Sequence, residues 1–237
     1  MRICSFGVRL IGRVATAAML LLVLSGLPTR ADAGEPFGRA SVLEQGPLAA
    51  TWRALQAQTT AEQSVIARCR TAPSSCSSTP ALRFIAIVDE GKAFGGLARI
   101  GHINRAVNFA LRPLDVRAAD ARQERWTTPL AALAAGEGDC KQFAVLKYAA
   151  LRAAGFASDD VRVVIMGERR RPETHAMVAV RNGARWLVLD NRSLAIVESR
   201  TLLDRYRPLY TLGRDGVRRF VPQPQVAAHK AAAACGG

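Results

Sequence analysis

The sequence predicts an α+β domain, with N-terminal helices packed on an antiparallel sheet. Helical periodicity dominates the chain from residue 48 to residue 154. From Val161 onward, short runs rich in Val and Leu carry strand character. The two patterns follow one another instead of alternating, which favours α+β over a doubly wound α/β sheet. Of 237 residues, 49% are apolar and 22% charged, so the chain can build a core and is not wholly disordered.

The first 33 residues have the layout of an export signal. Arg2, Arg9 and Arg13 are a positive leader, Val14 to Leu27 is an apolar stretch, and Ala31-Asp32-Ala33 supplies small residues before Gly34. The apolar stretch is short of the roughly 20 residues a membrane span needs, which favours cleavage over anchoring. Removing residues 1–33 leaves 204 residues and takes away four arginines and one aspartate. The formal charge then falls from +14 to +11. An exported basic protein seldom meets genomic DNA. No zinc-finger spacing and no basic stripe interleaved with aromatic residues is present, so no nucleic-acid partner is expected. A solvated basic surface is the plain reading; contact with anionic envelope polymers or an acidic partner is the alternative. The one tight basic run is Arg169-Arg170-Arg171.

The mature domain is expected over residues 34–220, with 221–237 as a disordered tail. Residues 34–47 read as irregular. Residues 48–70 have helical spacing, marked by Leu48, Trp52, Leu55, Val65 and Ile66, with Thr59-Thr60 as a possible break. Cys69 and Cys76 flank a turn-rich stretch and are expected to form a disulfide in an oxidising compartment. Residues 80–90 fit helix or strand. Residues 96–111 place Leu97, Ile100, Ile103, Val107 and Leu111 at three- and four-residue steps, and Pro113 ends that helix. The clearest helix covers 139–154 and closes at Gly155. Strands are expected at Val161–Met166, Ala176–Val180 and Trp186–Leu189, with one or two more within 206–220.

The chemistry concentrates at Gly136-Glu137-Gly138-Asp139-Cys140-Lys141-Gln142. Asp139 is a good N-cap, and Gln142 three residues later completes a capping box. Cys140 then occupies the first helical position, where the helix dipole and unpaired N–H groups favour thiolate. The same position suits a small buried apolar residue, and this segment alone leaves the two readings even. Cys4 leaves with the signal and Cys235 lies in the tail, so Cys140 has no evident bridging partner.

The Asn182-Gly183 pair is a strong hairpin signal. With those two residues as the loop, Arg181 pairs with Ala184, and His175 falls directly opposite Asp190. Directly opposed residues share a face of the sheet. A carboxylate there would orient the imidazole and steady its charged form. His229 lies in the tail, and His102 falls within the 96–111 helix, where a packing or surface role is expected. The order Cys140, His175, Asp190 is compatible with a papain-type triad.

The set Trp126-Thr127-Thr128-Pro129-Leu130, Gly136 to Cys140, Lys147-Tyr148, Leu151-Arg152, His175-Ala176 and Leu189-Asp190-Asn191 resembles the bacterial transglutaminase-like cysteine proteinases, which include the LapG-type periplasmic proteases. Asn104-Arg105-Ala106-Val107-Asn108 and the Cys69/Cys76 pair are similar too. The likeness runs over roughly residues 48–215. It implies a papain-like fold with the nucleophile at a helix N-terminus, and a catalytic Cys140–His175–Asp190 triad. It also implies a protein substrate such as a surface adhesin, an inner-membrane regulatory receptor and a calcium site. At the calcium position the family carries two acidic residues after the cysteine. This chain has Lys141 and Gln142, and calcium requires oxygen ligands, several of them charged. No metal and no cofactor is therefore expected.

The expected activity is that of a periplasmic or secreted cysteine endopeptidase, monomeric and without stable membrane insertion. The alternatives are an amine-accepting transglutaminase and a catalytically silent binding module of the same fold. Trp126, Asn104 and Asn108 are weak candidates for oxyanion or supporting roles, with packing as their plain alternative.

Overall fold

The computed structural model describes residues 34–114 and 126–221. The expected signal at 1–33 lies outside the described residues, as does the tail from 222 onward with Cys235 and His229. Five helices are described: α1 (Pro47–Thr71), α2 (Thr79–Lys92), α3 (Gly96–Ala110), α4 (Pro129–Ala135) and α5 (Cys140–Ala153). The strands are β1 (Ala40–Leu43), β2 (Arg112–Pro113), β3 (Glu137–Gly138), β4 (Val161–Glu168), β5 (Thr174–Asn182), β6 (Arg185–Leu189), β7 (Val197–Glu198), β8 (Tyr206–Gly213) and β9 (Gly216–Phe220).

Seven strands form one sheet in the order β1-β9-β8-β4-β5-β6-β7, and every pairing in it is antiparallel. The short β2 and β3 pair in parallel just before the α5 N-terminus. The helices-then-sheet order is the one read from periodicity.

Both faces of the central strands are covered. Val161 and Val163 of β4 and Ala176, Val178 and Val180 of β5 face the helical side of the core. Val164, Met166, Met177 and Ala179, offset by one residue, face a smaller cluster with Phe37, Tyr206 and Phe220. That alternation is the two-residue period of a pleated strand buried on both sides. Helix α5 is the central helix: Phe143, Val145, Leu146 and Leu151 are all buried, so apolar contacts surround it. A group at its N-terminus therefore sits on one of the most firmly held elements of the fold.

Four differences from the sequence reading have physical causes. Residues 40–43, expected to be irregular, add strand β1 to the sheet edge beside β9, a long-range pairing that local composition does not encode. Helix α1 runs through Thr59-Thr60 without a break, and the Thr60 hydroxyl donates to the Gln56 carbonyl at 2.9 Å. Residues 79–92 are helical, with Ser78 accepting the Ala81 N–H. Helix α4 was not anticipated; Thr128 caps it and Gly136 closes it in the left-handed conformation. Cys69 and Cys76 are disulfide-bonded, joining the end of α1 to the turn before α2. Among the described residues no helix is long and apolar enough to cross a membrane.

Candidate active site

The α5 N-terminus is built as the sequence indicates. Asp139 Oδ1 accepts the Lys141 N–H at 2.7 Å, and Gln142 Oε1 accepts the Asp139 N–H at 2.9 Å. These reciprocal bonds fix Asp139 as the N-cap, so the helix starts at Cys140. Gly138 is required for the close fit: a Cβ there would lie 2.6 Å from Gln142 Cβ. Cys140 is partly exposed and is the free cysteine among the described residues. At the first helical position its backbone N–H has no intrahelical partner.

His175 is fully buried near the start of β5, opposite Met166 of β4. Its Nε2 lies 2.7 Å from Asp190 Oδ1. Its Nδ1 has no hydrogen-bond partner among the described residues, and Cys140 is one of the groups that favour the charged ring. The Tyr206 ring stacks on the imidazole, with centroids 6.1 Å apart and planes inclined by 23°. Burial is the largest single influence on His175 and disfavours its charged form. The Asp190 hydrogen bond, the Cys140 interaction and both negative charges together outweigh it and raise the pKa from 6.5 to about 9. For Asp190, burial again acts upward, but the His175 hydrogen bond and charge, the Arg192 N–H and the Lys147 charge hold the carboxyl below its usual range.

The pair forms by a different register from the one expected. The hairpin loop is Gly183-Ala184, with Asn182 paired to Arg185 and Val178 to Leu189. Gly183 takes a φ of +62° at the first loop position, a left-handed conformation that glycine adopts without strain. His175 and Asp190 are therefore not directly opposed. The slip moves the pairing by two residues in total, so both side chains stay on the same face and become diagonal neighbours. Asp190 follows the last residue of β6, and there the chain turns so that Arg192 N–H reaches Asp190 Oδ1 at 3.0 Å. That local turn closes the remaining gap to His175.

The other candidates lie around this core. Asn108 Nδ2 donates to the carbonyl oxygens of Asp190 (3.1 Å) and Ser193 (3.3 Å), and Asn104 Nδ2 donates to that of Leu194 (3.2 Å). The two asparagines, one turn apart on α3, clamp the loop that presents Asp190. Trp126 packs edge-on against Trp52, with centroids 6.0 Å apart. His102 sits 3.3 Å from Glu90 and stacks on Phe94, a surface contact of α3 with the end of α2.

Two groups at the site received no role from the sequence, although Lys147 falls in the set that carries the family resemblance. Tyr206, at the start of β8, gave no signal, because its contact with His175 depends on sheet order. Lys147 lies two turns below Cys140 on the same side of α5, only 1% exposed, and its Nζ has no hydrogen-bond partner. Burial lowers its pKa from 10.5 to about 7 against the opposing pull of Asp190. Helical spacing could have flagged a lysine on an otherwise apolar stripe.

Among the described residues no group of three His, Cys, Asp or Glu side chains is placed to hold a metal ion. Asp139 Oδ2 is 3.2 Å from Lys141 Nζ, so the carboxylate next to Cys140 already has a cationic partner.

A family model described as bacterial transglutaminase-like cysteine proteinase matches residues 56–206, more than half of the chain. Among curated proteins none matches by sequence. Legionella pneumophila LapG is similar in structure: 19% identity, 65% of this chain and 87% of that chain, TM-score 0.55. Its calcium-bound form matches at 19% identity over 68% and 92% with TM-score 0.54, and its EGTA-treated form at 20% over 65% and 84% with TM-score 0.54. At such identities the likeness is one of fold.

Proposed function

This chain belongs to the bacterial transglutaminase-like cysteine proteinases and is a cysteine peptidase, and we propose that Cys140, His175 and Asp190 are its catalytic triad. The observation that carries this reading is the 2.7 Å contact of His175 Nε2 with Asp190 Oδ1, which leaves the other ring nitrogen for the Cys140 side. In that arrangement His175 takes the thiol proton, and Asp190 holds the ring orientation and steadies the imidazolium.

The reaction follows acyl-transfer logic. The Cys140 thiolate attacks a peptide carbonyl carbon, and the carbonyl π electrons move onto oxygen. The Cys140 backbone N–H, aligned with the positive end of α5, donates to that oxyanion. The tetrahedral intermediate collapses with cleavage of the C–N bond, and His175 delivers its proton to the leaving amine. Water, deprotonated by His175, then hydrolyses the thioester and returns the thiol. Asn104 and Asn108 act at one remove, by holding the Asp190 loop.

Calcium has no part in these steps. The Asp139–Lys141 pair and the Gln142 cap engage the oxygens beside Cys140 within the protein, and a lysine ammonium there opposes a divalent cation. The apolar leader and the Cys69–Cys76 disulfide support a periplasmic or secreted location. A surface or envelope protein such as an adhesin is the proposed substrate, and an inner-membrane receptor the proposed regulator, both carried over from the family resemblance.

The test is a digest of a denatured protein substrate, with and without added primary amine, read by mass spectrometry. Cleaved peptides with free carboxyl termini, absent with Cys140→Ala, are expected. Amine incorporation in place of cleavage would make the enzyme an acyltransferase.

A further inference from the structure

Beside the His175–Asp190 pair lies an arginine-lined cleft that the acyl-transfer steps do not use. Its volume is about 500 Å³, and it is lined by Glu168, Arg170, Arg171, Arg192, Asp204 and Arg205. Three chain segments build it: the β4–β5 turn, the loop after Asp190 and the entry to β8. The turn is pinned in place, because the Arg169 N–H donates to the Arg205 carbonyl (3.0 Å) and Arg169 Nε donates to that of Leu203 (2.9 Å).

The charges in the cleft do not cancel. Glu168 is ion-paired with Arg192, whose hydrogen bond and charge hold the glutamate carboxyl below its usual range. Arg205 is stacked over Tyr206 at 5.1 Å, a contact that orients the guanidinium without neutralising it. Arg170 and Arg171 have no hydrogen-bond or ion-pair partner among the described residues and keep their full donor sets. Asp204 alone is left to balance three arginines.

The cleft adjoins the His175–Asp190 pair: Arg192, in its lining, donates its backbone N–H to Asp190 Oδ1 at 3.0 Å. Glu168 lies within electrostatic reach of His175, and the Tyr206 ring contacts both the Arg205 guanidinium and the imidazole. A guanidinium fork matches a carboxylate in bidentate geometry. Paired arginines stabilise the protein's own fold, whereas unpaired ones grouped in a concave site favour an external anion.

We infer that this cleft is a substrate subsite for the acidic side chains, aspartate or glutamate, of the polypeptide that is cut. The inference rests on the peptidase reading and adds a specificity to it: an acidic residue at a fixed distance from the scissile bond.

Binding and cleavage test it separately. The binding probe is a fluorescein-labelled peptide of Gly and Ala with two glutamates, beside its two-glutamine counterpart, titrated by anisotropy into Cys140→Ala protein. The glutamate peptide is expected to bind at least tenfold more tightly at low salt, with the difference shrinking as salt rises. The preference is expected to vanish in the Arg170→Gln/Arg171→Gln protein and to survive Arg53→Gln/Arg68→Gln, which removes two distant arginines. Equal binding of the two peptides, or a preference that survives Arg170→Gln/Arg171→Gln, overturns the subsite. So does loss of anionic-vesicle binding in that variant without any peptide preference. In the second arm, a random decapeptide library is digested with wild-type protein. Products enriched in Asp or Glu at one offset support the subsite, and products without enrichment overturn it. A library left wholly uncut counts against the peptidase reading, while the binding arm still decides the cleft.

Discussion

His175 Nε2 meets Asp190 Oδ1 at 2.7 Å across the open end of the β5–β6 hairpin, with the imidazole fully buried. An imidazole held this way has one tautomer and one orientation available. Asp190→Asn is expected to keep the fold and to lower kcat by about 10³- to 10⁴-fold, because the amide favours the wrong tautomer. Steady-state kinetics on a cleaved peptide check this. A loss below about tenfold would mean that Asp190 does not orient His175.

Asn108 offers a subtler change. Its amide ties α3 to the carbonyls of Asp190 and Ser193. Asn108→Ala is expected to cost about 1 kcal/mol of stability, the value of an ordinary hydrogen bond, while kcat falls roughly tenfold through looser placement of Asp190. Urea denaturation and kinetics on the same protein separate the two effects. Unchanged kcat would leave Asn108 a packing residue.

Two buried groups titrate in opposite senses. His175 is raised from 6.5 to about 9, so the folded state holds a proton that the unfolded chain releases, and this contribution to stability is lost as pH rises through about 9. Lys147 is lowered from 10.5 to about 7, so the folded state has released a proton that the unfolded chain keeps, and its contribution grows as pH rises above about 7. Between pH 7 and 9 the slopes offset. Lys147→Met is expected to raise stability by roughly 1–3 kcal/mol near pH 7, since it removes an unpartnered buried ammonium. It also uncovers a fall in stability between about pH 6.5 and 9. Denaturation midpoints across that range check both, and an unchanged flat profile would contradict the assignment.

The calcium reading gives a thermal prediction. A ligand present at 100 times its Kd stabilises the folded state by about 2.7 kcal/mol. Adding 1 mM calcium after EGTA treatment (roughly 100 times a micromolar-range Kd of about 10 μM) is expected to leave the melting temperature and the cleavage rate unchanged. A rise of several degrees would show that the Asp139–Lys141 pair opens to admit the ion.

The elements that were legible in the sequence are those whose signals are local. The α5 start was readable because Asp139, Gln142 and Gly138 act within four residues. The Cys69–Cys76 bridge and the main strands were readable for the same reason. Strand β1 was not, because its partner among the described residues is β9, more than 170 residues away. The hairpin register slipped because Asn182-Gly183 and Gly183-Ala184 are both workable two-residue loops, and the flanking strands chose the second. The His175–Asp190 contact survived the error because a shift by two residues preserves the face. The Tyr206 contact and the arginine cleft depend on segments distant in sequence meeting, and of the cleft only the Arg169-Arg170-Arg171 run is visible locally.

The most direct test is the rate at which iodoacetamide alkylates Cys140 at pH 6, followed by peptide mapping so that Cys4 and Cys235 are resolved from it. Wild-type protein is expected to react rapidly at Cys140, as a thiolate held by the imidazolium does, and His175→Ala at least tenfold more slowly. Equal rates in the two proteins would contradict activation of Cys140 by His175, and with it the triad.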